Sequence, residues 1–174
     1  MTARHYHVDG VAIVAAGSGN AGILAEKVEN LTITNATISA AAGHGIDPVN
    51  PGGVGDVAPK NVTITNSTIT GDGTGKVGID ALDADGVIVT NSTVVSDDAV
   101  GIKPGRNTQI RFSTVMGKPD AVAQAPPGER AVFQHSVLNG RSVTELILTP
   151  IAPPPAAETT SESPPRPPST LLRP

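Results

Sequence analysis

Two adjacent aspartates, Asp97 and Asp98, stand in the stretch Asn91–Gly105, NSTVVSDDAVGIKPG. Neighbouring carboxylates repel one another, which raises the pKa of one of them and suits it to donate a proton. The cations Lys103 and Arg106 follow closely, and Asp80 and Asp47 end two copies of a Gly-Ile-Asp unit. His44 lies in a Gly-flanked turn, where an imidazole serves as an acid or base near neutral pH. If these segments are stacked in register, Asp72 lies beside Asp97 and Asp80 beside Lys103, with Asp47 one layer earlier. A spacing of about 4.8 Å between layers would then gather the carboxylates into a sugar-binding stripe or within reach of one Ca²⁺. The competing reading is a solvated acidic turn, because Asp and Gly populate turns for conformational reasons. His5 and His7 have the spacing of metal ligands on a strand, but no third ligand is evident, and the reading assigns no metal or cofactor.

Such a site needs a scaffold that stacks like segments, and the sequence contains one. Asn30–Ile38 (NLTITNATI), Asn61–Ile69 (NVTITNSTI) and Gly86–Val94 (GVIVTNSTV) are near copies, continued more loosely in Asn107–Val115 and Arg130–Leu138. A Gly-Ile unit separates them, at Gly22, Gly45, Gly78 and Gly101. One of these intervals is longer than the others, and a solenoid absorbs such an insertion where a closed sandwich does not. Val, Ile and Thr exceed a quarter of the chain while Trp and Cys are absent. Branched residues favour strands, and narrow coils need no aromatic core. The reading is an all-β parallel β-helix of about five to six coils. Ile33, Ile64, Val89 and Ile110 form one inward ladder, and Ile38, Ile69, Val94 and Val115 another. Asn35, Asn66 and Asn91 share a corner in the left-handed conformation that Asn tolerates, and each amide is expected to bond to the Asn above and below. These residues also begin N-x-T sequons. Burial at the corner argues against their glycosylation.

The stretch Asn91–Gly105 resembles the acidic motif of the polygalacturonase-type glycoside hydrolases (family 28), a paired-aspartate turn followed by a short I-A-I-K strand. Lys76–Asp80 (KVGID) and Gly43–Pro48 (GHGIDP) resemble that family's N-T-D-G-I-D segment. The repeat is shared more widely by pectin-lyase-like β-helices, and the resemblance implies that the helix is right-handed. It further implies hydrolysis of a pectin-like uronic-acid polymer with inversion, Asp98 acting as the acid, Asp97 as part of the base pair, and Asp80, Lys103, Arg106 and His44 as substrate-binding residues. This sequence departs from the pattern. Val77 or His44 stands where the family has its third aspartate, the later G-H-G and R-I-K motifs are missing, and there is no Trp to stack on sugar. Two alternatives follow, a noncatalytic binding or structural β-helix (including the remnant of a longer enzyme) and a uronate lyase or epimerase.

The net charge of -4, the lack of a basic cluster and the scarcity of aromatics exclude the electrostatic footprint of a nucleic-acid binder. No apolar run is long enough for a membrane-spanning helix. The expected partner is a polysaccharide, with self-association through uncapped ends of the coil. The resemblance implies secretion, although Met1–Gly10 contains no signal segment, and a fragment of a longer protein reconciles the two. The β-helix is placed at 1–149. Residues 150–174, rich in proline, read as a disordered tail.

Overall fold

The computed structural model describes residues 5–17, 19, 21–49, 58–125 and 129–149. The expected tail at 150–174 and most of the insertion at 49–58 lie outside the described residues. The described residues form strands and turns only, wound into a parallel β-solenoid of about five turns. Each turn carries up to three strands. On the first face lie β1 (Tyr6–Asp9), β4 (Glu29–Thr34), β7 (Lys60–Thr65), β10 (Asp85–Thr90) and β13 (Thr108–Arg111). The second face holds β2 (Ala12–Ala15), β5 (Thr37–Ala40), β8 (Thr68–Gly71), β11 (Thr93–Ser96) and β14 (Thr114–Met116). Two-residue strands make up the third face: β3 (Ile23–Leu24), β6 (Ile46–Asp47), β9 (Ile79–Asp80) and β12 (Ile102–Lys103). β15 (Ala131–Leu138) runs unbroken along the first two faces, and β16 (Arg141–Leu148) folds back on it antiparallel.

Alternation along each strand sends every second side chain inward. Ile33, Ile64, Val89, Ile110 and Phe133 are consecutive partners on the first face, and Ile38, Ile69, Val94 and Val115 on the second. All nine are 0 % exposed. Burial of each such side chain contributes roughly 1.5–3 kcal/mol, so aliphatic ladders alone can hold the coils together. Glycine brings the third face close to the second. A Cβ on Gly78 would lie 2.5 Å from Val94 Cγ1 and 2.8 Å from the Gly101 carbonyl oxygen, and one on Gly45 would overlap Ile69 Cγ2. The Gly-Ile repeat therefore records a packing constraint.

The first corner bends as expected: Asn35, Asn66 and Asn91 have φ of 51°, 51° and 48°. Their side chains differ from expectation, because all three are exposed. Asn35 Nδ2 donates to Asp9 Oδ1 at 2.9 Å, and no hydrogen bond joins the amides of Asn66 and Asn91 among the described residues. The ladder runs instead through the next residue. Ser67, Ser92, Ser113 and Ser136 are buried. The hydroxyls of Ser92, Ser113 and Ser136 each accept the N–H of the serine one coil earlier, at 3.2, 3.2 and 3.3 Å, and Ser67 Oγ accepts from Ala36 N at 3.1 Å. Every one of these hydroxyls also donates to the carbonyl two residues back in its own coil, at 2.7–2.8 Å. A left-handed residue turns the chain so that its successor points inward, which puts Ser inside and Asn in water. The burial argument against the sequons thus fails on the structure.

At the far end Asn139 and Gly140, with φ of 45° and 79°, form the two-residue turn that suits a tight hairpin. β16 lays Leu146 and Leu148 against the last coil. This antiparallel cover over β15 lies outside the repeat pattern, and the sequence reading did not foresee it.

Candidate functional site

The third face carries a column of charged residues. On it each Ile points inward and the following residue faces outward, so Leu24, Asp47, Asp80 and Lys103 follow one another down a single outer column. The Gly-Ile repeat therefore converts three distant carboxylate and ammonium groups into neighbours. Lys103 Nζ donates to Asp80 Oδ2 at 2.9 Å, the side chains being 35 % and 17 % exposed. Asp47 lies one coil before Asp80, its carboxyl pushed above the ordinary range by burial and by the charges of Asp80 and Asp83, against the pull of His44 and Lys103.

His44 closes the group. It occupies the turn before Gly45, and its Nδ1 accepts the N–H of Val77 at 3.1 Å. An imidazole whose Nδ1 is an acceptor carries its proton on Nε2 when neutral. Burial pushes its pKa below the ordinary value, and the nearby Asp47 and Asp80 only partly oppose this. His44 Nδ1 lies 4.0 Å from Asp80 Oδ2. Because Nδ1 already accepts a backbone N–H, it has no proton to give Asp80, and that approach is no ion pair.

Asp97 and Asp98 stand exposed in the turn between β11 and β12. Ser96 shapes that turn: its Oγ accepts the N–H of Ala99 at 3.0 Å and donates to the Lys76 carbonyl one coil earlier at 2.7 Å. Gly71 and Ser96 are the last registered pair on this edge, so Asp72 and Asp97 leave the sheet at equivalent places, as the stacking reading expects. Asp72 Oδ1 accepts the N–H of Gly73 at 2.6 Å, which commits it to its own turn. Arg106 sits at the entry to β13, where it bridges to Asp85 through the backbone and gives its Nε to Glu129 Oε1 at 2.9 Å. The structure thus gathers His44, Asp47, Asp80 and Lys103, while Arg106 engages a different partner on the first face. Among the described residues no three His, Cys, Asp or Glu side chains are placed so that they could hold a metal ion together.

Outside this group, the sequence reading missed an exposed aromatic pair. Phe112 and His135 continue the Asn corner with φ of 49° and 48°, and their rings stack with centroids 5.3 Å apart and planes 8° from parallel. The alignment of RFST and QHSV with TNST was the signal available for it. Comparison with protein-family models, curated proteins and solved structures found no match to this chain.

Proposed function

We propose that this β-solenoid is a polysaccharide-directed protein that binds a uronic-acid polymer along its third face and does not cleave it efficiently. Support for the ligand class comes from the resemblance at Asn91–Gly105 and from the in-register column of Asp47, Asp80 and Lys103, whose pitch matches the layers of the coil. A solenoid offers such repeated side chains as one continuous binding strip. Lys103 would meet a sugar carboxylate, and His44 Nε2–H, Asp80 and Asp47 would exchange hydrogen bonds with hydroxyls.

The observation that carries the noncatalytic half is the double engagement of the titratable groups. His44 Nδ1 holds a backbone N–H, which occupies the one lone pair its neutral ring could offer to water, and one oxygen of Asp80 is committed to Lys103. Asp97 and Asp98 lie in solvent, without the apolar surroundings that commonly prepare a carboxylic acid for hydrolysis.

One observation favours a second, hydrolytic reading: burial already pushes the Asp47 carboxyl toward the protonated form. Calorimetric titration with oligogalacturonate, run beside a reducing-sugar assay on polygalacturonate, separates the two. Binding that weakens in Lys103→Gln, with no new reducing ends, is the expected result. Reducing-sugar release abolished by Asp98→Asn or Asp47→Asn would establish the hydrolase instead.

A further inference from the structure

The exposed aromatic pair adjoins a polar cleft on the first face of the solenoid, whereas Asp80 and Lys103 lie on the third. Gln109, Arg111, Arg130, Gln134 and Glu145 line this cleft of about 310 Å³ on the outer first face. Arg111 and Gln134 are register partners and immediately precede Phe112 and His135. Arg111 Nη2 donates to Gln109 Oε1 at 2.8 Å, and Gln134 Nε2 reaches Glu145 Oε1 at 3.4 Å. Among the described residues neither Arg111 nor Arg130 is paired with a carboxylate, so two guanidinium groups face one acid.

Phe112 is placed against backbone preference. Three coils fill this corner with Asn, which like His tolerates the left-handed region, whereas a bulky residue such as Phe at positive φ is an outlier. The chain has only two Phe and one Tyr, yet Phe112 is 58 % exposed there. Unpaired guanidinium forks recognise carboxylates, side-chain amides recognise hydroxyls, and aromatic rings offer an apolar surface to a sugar ring.

Resting on the polysaccharide reading above, we propose that this cleft and the Phe112–His135 pair form a second subsite, which takes an acidic sugar unit of the same polymer. The test titrates the full chain with hexagalacturonate, with neutral cellohexaose and with an oligothymidylate. Arg111→Gln and Phe112→Asn should each weaken hexagalacturonate binding by about tenfold, the loss of one charge-assisted or stacking contact. Phe112→Asn restores the residue of the neighbouring coils, so its melting temperature should equal or exceed that of the wild type. A drop in melting temperature with unchanged affinity would make the pair structural and overturn the proposal. Equal affinity for cellohexaose, or for the oligothymidylate, would overturn the acidic-sugar assignment. If Lys103→Gln abolishes binding while both cleft variants keep full affinity, the second subsite fails and the third-face reading stands. If the cleft variants weaken binding and Lys103→Gln does not, the subsite stands and the third-face reading fails. No binding by the wild type would sink both.

Discussion

Replacing Ser92 by alanine should cost far more than its size implies. Ser92 is 4 % exposed, and its Oγ accepts the Ser67 N–H at 3.2 Å while donating to the Thr90 carbonyl at 2.8 Å. The alanine strands a buried N–H, a loss of about 1–3 kcal/mol, since a missing partner costs the desolvation of the group left behind. The other half of the interaction adds little, because the Thr90 carbonyl still accepts the Asn66 N–H at 3.1 Å. The midpoint of thermal unfolding should fall by about 2–4 °C per kcal/mol in a domain of this size. Asn91→Gly is the matched control one residue away. Its amide is exposed and makes no side-chain hydrogen bond among the described residues, and glycine accepts a φ of 48°. It should lie within about 0.5 kcal/mol of the wild type. Urea denaturation followed by far-UV circular dichroism measures both. A Ser92→Ala protein as stable as the parent, or an Asn91→Gly protein less stable than Ser92→Ala, would refute the serine ladder.

Three further outcomes follow from the same geometry. Gly78→Ala places a Cβ 2.5 Å from Val94 Cγ1 and 2.8 Å from a backbone carbonyl, and overpacking of this kind should cost about 1–3 kcal/mol in the same denaturation assay. Lys103→Gln removes the 2.9 Å partner of Asp80. With the lysine more than a third exposed, the stability loss should be only about 1 kcal/mol and should shrink with added salt. His44 is held below its ordinary pKa of 6.5, so below that pH the unfolded chain takes up a proton that the folded chain refuses. Its contribution is present above pH 6.5 and is lost on acidification. His44→Gln should therefore flatten the fall in stability between about pH 7 and 5. Asp47, raised from 3.8, has the opposite sign, its contribution being lost as the pH climbs through its folded value.

The fold was legible because a solenoid repeats its constraints. Ile33, Ile64, Val89 and Ile110 recur at one position of the nonapeptide, and Gly22, Gly45, Gly78 and Gly101 at one position of the intervening unit, so register followed from alignment alone. The third-face column followed too, since Asp80 and Lys103 occupy equivalent places after Gly-Ile. The serine ladder was missed because the buried place at the corner was given to Asn, whereas a left-handed Asn faces solvent and sends its successor inward. β16 was missed because Arg141–Leu148 copies no repeat, although Asn139-Gly140 is a strong hairpin signal. Arg106 was expected beside Lys103 by proximity in sequence. The corner at Pro104–Gly105 lies between them, and beyond it Arg106 meets Glu129. The Phe112–His135 pair escaped because it substitutes two different aromatics for the Asn that defines the column.

The claim that a uronate polymer lies along the third face is tested most directly by titrating ¹⁵N-labelled protein with oligogalacturonate and following the backbone amides. Saturable shifts at Ile79–Ala81 and at Ile102–Lys103 are predicted. Saturable shifts that leave both of these strands untouched, or no shifts at all, would contradict it.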